Sequence, residues 1–138
     1  MKQLLLLLSI VVFLFAGCEK DSSSGSVTLK YEIVSTSAFV PVVMSGVQLY
    51  PPITVFYANE TGQQQREEIN STASSWSKTI QLTTTQRPIA IMFYVSGHTL
   101  NVSGTGVVKI YANGVLKASQ NVTVSNGLFT GNIVYNLF

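Results

Sequence analysis

From Val27 onward, apolar and polar residues alternate along the chain with a period of two. Val27, Leu29, Tyr31 and Ile33 fall on one side, and Thr28, Lys30 and Glu32 on the other. That is the pattern of a strand with one face buried. Ile53, Val55 and Tyr57 repeat it. Asn59-Glu60-Thr61-Gly62 then supplies turn residues, and residues 63–70 read as a polar returning strand. A short strand is expected over 77–82, after Trp76. Residues 89–95, Ile-Ala-Ile-Met-Phe-Tyr-Val, are almost wholly apolar. This run predicts a central strand covered on both faces, with Pro88 confined to its start.

The strongest hairpin signal spans 106–122. Val108, Ile110 and Ala112 alternate with Val107, Lys109 and Tyr111, and Asn113-Gly114 precedes Val115 and Leu116. Asn-Gly suits a type I′ turn, which needs positive φ at both central residues. A second Asn-Gly, Asn126-Gly127, introduces a last strand over 128–138 with Phe129, Ile133, Tyr135 and Leu137 on one face. Residues 35–52 resist assignment because Pro41, Gly46, Pro51 and Pro52 interrupt them; an irregular edge strand around 39–44 is expected. No helical period appears after residue 26. Many short strands with Gly and Asn turns predict an all-β domain over 27–138: a single antiparallel β-sandwich of about seven or eight strands, or a small barrel.

The first 26 residues belong to a different regime. Lys2 precedes apolar runs at 4–8 and 10–15, and the small residues Ala16 and Gly17 come directly before Cys18, the only cysteine. Charge, apolar run and small pair form a leader followed by a cleavage site. The cysteine directly after them resembles the lipobox of bacterial lipoproteins. The resemblance implies that residues 1–17 are a cleaved signal peptide and that Cys18 becomes the acylated N terminus, carrying diacylglyceryl and palmitate-type chains. Several acyl chains on one cysteine hold a protein on a membrane where a single chain binds only marginally. The apolar stretch is also shorter than the ~20 residues of a spanning helix. Residues 18–26 are then a polar tether, giving a stand-off of about 15–25 Å on random-coil scaling. Glu19 and Asp21 beside the cysteine resemble an acidic export signal to the outer membrane. The expected location is a bacterial membrane, the outer one by preference, with the domain facing periplasm or cell surface.

Composition narrows the chemistry. Only 10% of residues are charged and the formal net charge is +2; with no basic stripe along the chain, nucleic acid is not an expected partner. One cysteine leaves no intrachain disulfide and no cysteine-based zinc site. His98 is the sole histidine, too little for a metal centre. Glu67 and Glu68 are neighbours on an expected strand and point to opposite faces, which does not suit a paired-carboxylate site. No cofactor is implied, and the chain reads as a non-enzyme. Trp76, flanked by Ser74, Ser75, Ser77 and Lys78, suits stacking on a sugar or lipid, and equally suits plugging one end of the sandwich. Tyr111 is the second candidate for ligand contact.

Four stretches carry a family resemblance: residues 27–33 (Val-Thr-Leu-Lys-Tyr-Glu-Ile), 53–57 (Ile-Thr-Val-Phe-Tyr), 76–79 (Trp-Ser-Lys-Thr) and 108–114 (Val-Lys-Ile-Tyr-Ala-Asn-Gly). In order and spacing, over most of 27–125, they resemble the soluble domain of the MmpS family, the small membrane proteins that accompany MmpL exporters. The resemblance implies an immunoglobulin-like β-sandwich, no catalytic residues, and an accessory role beside an envelope protein or transporter. The chain differs from the family in having a lipobox in place of a retained membrane helix. The expected function is therefore a lipid-anchored, non-enzymatic binding or accessory module. The alternatives are a surface glycan- or lipid-binding module and an adhesin-like structural subunit.

Overall fold

The computed structural model describes residues 26–83 and 88–138. The described residues form ten strands: β1 (Val27–Ser35), β2 (Val42–Met44), β3 (Val47–Tyr50), β4 (Ile53–Ala58), β5 (Gln64–Ile69), β6 (Ser75–Leu82), β7 (Ile89–His98), β8 (Ser103–Ala112), β9 (Val115–Ser125) and β10 (Leu128–Leu137). Eight of them make one antiparallel sheet in the order β5-β4-β7-β10-β9-β8-β1-β6, and β2-β3 stand apart as a two-stranded hairpin. β9 and β10 pair only at Ser125–Leu128. Beyond that corner they diverge, and the sheet folds over so that β5-β4-β7-β10 faces β9-β8-β1-β6. The product is the all-β, sandwich-like body that the alternating pattern predicts.

The alternation maps onto two faces. Leu29, Tyr31 and Ile33 of β1, Ile53, Val55 and Tyr57 of β4, Ile91, Phe93 and Val95 of β7, and Phe129 of β10 are all buried. Tyr31 spans the layers: its ring lies 5.3 Å from Tyr57 and 5.1 Å from Phe93, and its hydroxyl donates to the Ala58 carbonyl at 2.9 Å. Where β9 and β10 part, the Gln120 side chain accepts from the Asn132 N–H at 2.8 Å, so the opened corner keeps that donor satisfied. Gly106 has no room for a side chain: an added Cβ would meet the Val34 carbonyl oxygen of the neighbouring strand and the Phe129 ring of the facing layer.

Three tight turns have positive φ at both central residues: Asn113-Gly114 (50° and 79°), Asn126-Gly127 (52° and 76°) and Ser45-Gly46 (52° and 80°). The first two are the Asn-Gly hairpins expected from sequence. The third joins β2 to β3 and resolves residues 35–52: a chain crossing with a bridge at Phe39–Thr99, then a hairpin in place of one irregular edge strand. β7 also departs from expectation. Met92 is 42% exposed, Ala90 is exposed and Tyr94 half-buried. Its apolar outer residues therefore form an open surface instead of packing beneath a second layer.

Buried phenols set an alkaline limit to stability. Burial pushes the Tyr31 hydroxyl far above its ordinary value; burial and the hydrogen bond to Glu67 also raise Tyr57. A raised folded-state pKa stabilises fully below the unfolded value and loses that contribution as pH climbs past it. Stability should therefore fall above pH ~10, by about 1.4 kcal/mol per pH unit for Tyr31 alone. Denaturant melts against pH should show this slope, and Y31F should remove most of it.

Candidate functional site

Cys18 and the leader lie outside the described residues. Trp76 and Tyr111 are described, on opposite faces of the same layer. Trp76 pairs with Ile33 on β1, and Tyr111 pairs with Lys30; residues an odd number apart on a strand face opposite ways, so the two aromatics share no site.

Trp76 points inward at the open seam between the edge strands β5 and β6. Its ring lies 6.1 Å from Phe93 in a stacked arrangement and 6.3 Å from Tyr57. Beside it, the Tyr57 hydroxyl donates to Glu67 at 2.7 Å and Lys78 Nζ to the same carboxylate at 3.0 Å. This placement suits the second of the two roles its sequence setting offers, plugging one end of the sandwich. Lys78 on one edge and Glu67 on the other place inward-facing charge along the seam, a device that discourages edge-to-edge pairing with other chains. Hydrogen bonds from Tyr57 and then Lys78 hold the Glu67 carboxyl low.

Tyr111 belongs to an outer-face network. Glu32 accepts from Lys30 Nζ at 2.7 Å and from Lys109 Nζ at 3.0 Å. The Tyr111 hydroxyl lies 3.4 Å from the same carboxylate, and Lys30 Nζ sits 5.4 Å from the Tyr111 ring centroid. The bonds from Lys30 and Lys109 lower the Glu32 carboxyl, and Glu32 raises Lys109. A depressed carboxylate stabilises above its unfolded pKa and loses that contribution as pH falls through its folded value. Acid melts should therefore show a modest stability loss beginning below pH ~4.3, and E32Q should flatten part of it.

Among the described residues no group of three or more His, Cys, Asp or Glu side chains is placed to hold a metal. A groove of about 510 Å³ on the outer face runs between Val34, Thr36, Thr105, Val107, Asn121 and Thr123, and its walls carry no acid, base or thiol. No helix among the described residues is long and apolar enough to cross a membrane.

The most distinctive surface is one that the sequence reading left undefined. β1 runs from Val27, beside Leu82 and Ala112, to Ser35, beside Gly106. The N-terminal end of the domain and the β2–β3 hairpin are therefore at opposite ends. The loops at the hairpin end, 36–52, 70–74, 99–102 and 126–127, contain no charged residue. They nevertheless display Met44 and Val47, 65% and 62% exposed, and Leu100 and Val102, 70% and 72% exposed, with Val43, Leu49 and Tyr50 also exposed. Patches of this kind mark interaction sites on soluble domains.

This end is firmly built. Phe39 seals the core beneath it, edge-on to Phe129 at 5.4 Å. The Val40 N–H donates to the His98 carbonyl, Leu100 to Ala38, Thr99 to Gly127, and Gly127 to Val102. The Asn101 N–H donates to Ser37 Oγ at 3.1 Å, and Gln48 reaches Asn70 at 3.3 Å. The apolar side chains are thus held outward on a hydrogen-bonded frame. One signal for this surface was present in the sequence, the unbroken absence of charge from residue 33 to 59.

A second exposed surface lies on the outer face of β5-β4-β7-β10. Phe56 and Tyr94 pair at 5.7 Å, with Arg66 and Asn132 flanking them in the strand register. No protein-family model matches the chain, and a search of curated proteins finds no match.

Proposed function

We propose that this chain is a lipid-anchored, non-enzymatic binding module of the bacterial envelope, held by acylated Cys18 through the tether 18–26 and working through its hairpin end. The observation that carries this reading is the uncharged, apolar end at the far side of the domain from Val27. A domain tethered at one end presents its other end to whatever it meets. The MmpS-like strand pattern supports an accessory role beside an exporter.

Two measurements test the parts separately. Mass spectrometry of protein extracted from membranes should find residues 1–17 absent and Cys18 acylated; C18S should stay unacylated. A bare thiol or an intact leader would remove the anchor. A photocrosslinking amino acid placed at position 47 in cells should capture a contact that the same probe at outer-face position 119 does not; equal labelling at both would remove the hairpin end as the working surface.

The Phe56–Tyr94 pair favours a second reading, a glycan-binding surface, because adjacent aromatic faces flanked by polar side chains suit the apolar face of a sugar ring. Glycan titration of the parent and of F56A/Y94A separates it from the first.

A further inference from the structure

We propose that the hairpin end is a membrane-contact surface, seating the β2–β3 hairpin and the Leu100–Val102 loop in the interfacial layer of a zwitterionic phospholipid bilayer. This rests on the hairpin end being the working surface, and it is independent of how the N terminus is held.

The hairpin exposes apolar residues on both of its faces, with Gln48 the polar exception, bonded back to Asn70. Met44 pairs with Val47 and points to one side, while Val43 pairs with Gln48 and points to the other. Each of these valines and the methionine is more than half exposed. A protein groove covers one side of a docked hairpin. A bilayer surrounds a projecting one, so apolar residues on both sides fit lipid better than a groove.

Charge points the same way. The four loops of this end contain no acidic or basic residue, so they neither oppose entry into the interface nor demand anionic lipid; the sole histidine, His98, ends β7 beside them with its ring 6.0 Å from Tyr50. Elsewhere the pattern differs: exposed Val115 and Leu116 adjoin Lys117. Tyr50, at the base of the hairpin, supplies the amphipathic ring that favours the headgroup level. Leu100 and Val102 project from a second loop at the same end, so the contact is a surface and not a single point.

Backbone chemistry sets the depth and argues against a second copy of the chain. The outer edges of β2 and β3 pair with no other described strand. Such groups are costly in hydrocarbon but tolerable in the hydrated interface, about 5–10 Å deep. Pairing of this edge with another hairpin is hindered by the register shift between Val42 and Val43, because a bulge twists an edge away from a flat template.

The test uses residues 26–138, which contain the ten described strands and the buried cluster they enclose but not Cys18, so no acyl chain contributes. The probe is phosphatidylcholine vesicles, read by co-sedimentation and by a V47W reporter with brominated-chain lipid. The parent should co-sediment, and V47W should shift to the blue and be quenched by bromine. M44D/V47D should weaken partitioning at least tenfold, and L100D about threefold, with melting temperatures unchanged because these side chains lie outside the core. V115D/L116D, at the other end, should bind like the parent, and added salt should not matter. The proposal is overturned if folded parent fails to co-sediment at lipid on the order of millimolar, or if M44D/V47D binds as the parent does. It is also overturned if binding requires anionic lipid and disappears in salt, or if V47W is already shielded in solution by a second copy. Protein crosslinked from position 47 in cells, with no vesicle binding, would overturn the lipid occupant while leaving the hairpin end as the contact surface.

Discussion

Replacing Tyr31 with alanine should cost about 4 kcal/mol of folding stability, within the range for truncating a large buried aromatic. Most single domains have only about 5–15 kcal/mol in total, so Y31A should melt far below the parent or fail to accumulate. Tyr31 carries this weight because it touches both layers. It sits on β1 between β6 and β8, and its ring reaches Tyr57 on β4 and Phe93 on β7. Removing it opens a void between the halves of a sheet that is continuous only through the Ser125–Leu128 corner. Y31F separates packing from hydrogen bonding. It keeps the ring and loses the bond to Ala58, so it should cost about 1 kcal/mol. Urea melts of the three proteins measure both effects, and similar midpoints for Y31F and Y31A would refute the packing account.

Gly106→Ala should cost about 3 kcal/mol, at the upper end of the range for overpacking. The obstruction is partly the Val34 carbonyl, which belongs to a paired strand, and partly the Phe129 ring, which is wedged against Phe39. A flexible side chain could swing aside; these groups cannot without parting β1 from β8 or moving the two layers. Gly114→Ala is the informative comparison. Its φ is +79° and an added Cβ meets nothing within 4 Å. Only the left-handed backbone penalises that change, by about 1 kcal/mol. Thermal melts should rank the variants parent, G114A, G106A. Equal shifts would mean that the backbone conformation, and not the close approach of the strands, dominates at both glycines.

Much of the fold could be read from residue alternation. Leu29, Tyr31 and Ile33 point inward as their spacing requires, and both Asn-Gly pairs turn where expected. Two readings failed for identifiable reasons. The apolar run 89–95 implies cover on both faces, but apolar composition cannot distinguish a covered face from an exposed apolar surface; Met92 and Tyr94 lie on the latter, beside Phe56. The β2–β3 hairpin escaped because its turn is Ser45-Gly46. Serine seldom takes positive φ, so the pair carries little of the signal that Asn-Gly does. The candidate site was less legible than the fold. Trp76 was open to a binding or a sealing role, and its stacking against Phe93, which suits the sealing one, could not be read from its neighbours in sequence. Tyr111 gave no hint of Glu32, because the two meet through pairing across 79 residues of chain.

The properties legible in the residues alone are local: which of them alternate, where the backbone can turn back, and which stretches carry no charge. These follow from the pleat and from the φ preferences of individual residues, and neither depends on distant partners. Pairing, by contrast, emerged only from the folded chain. It placed β1 between β8 and β6, put Trp76 and Tyr111 on opposite faces, and carried the uncharged hairpin to the end of the domain farthest from Val27. Strand order is a competition among long-range contacts whose energies become comparable once every strand offers the same apolar face. Alternation names the face that each strand buries, and it leaves the choice of neighbour to packing.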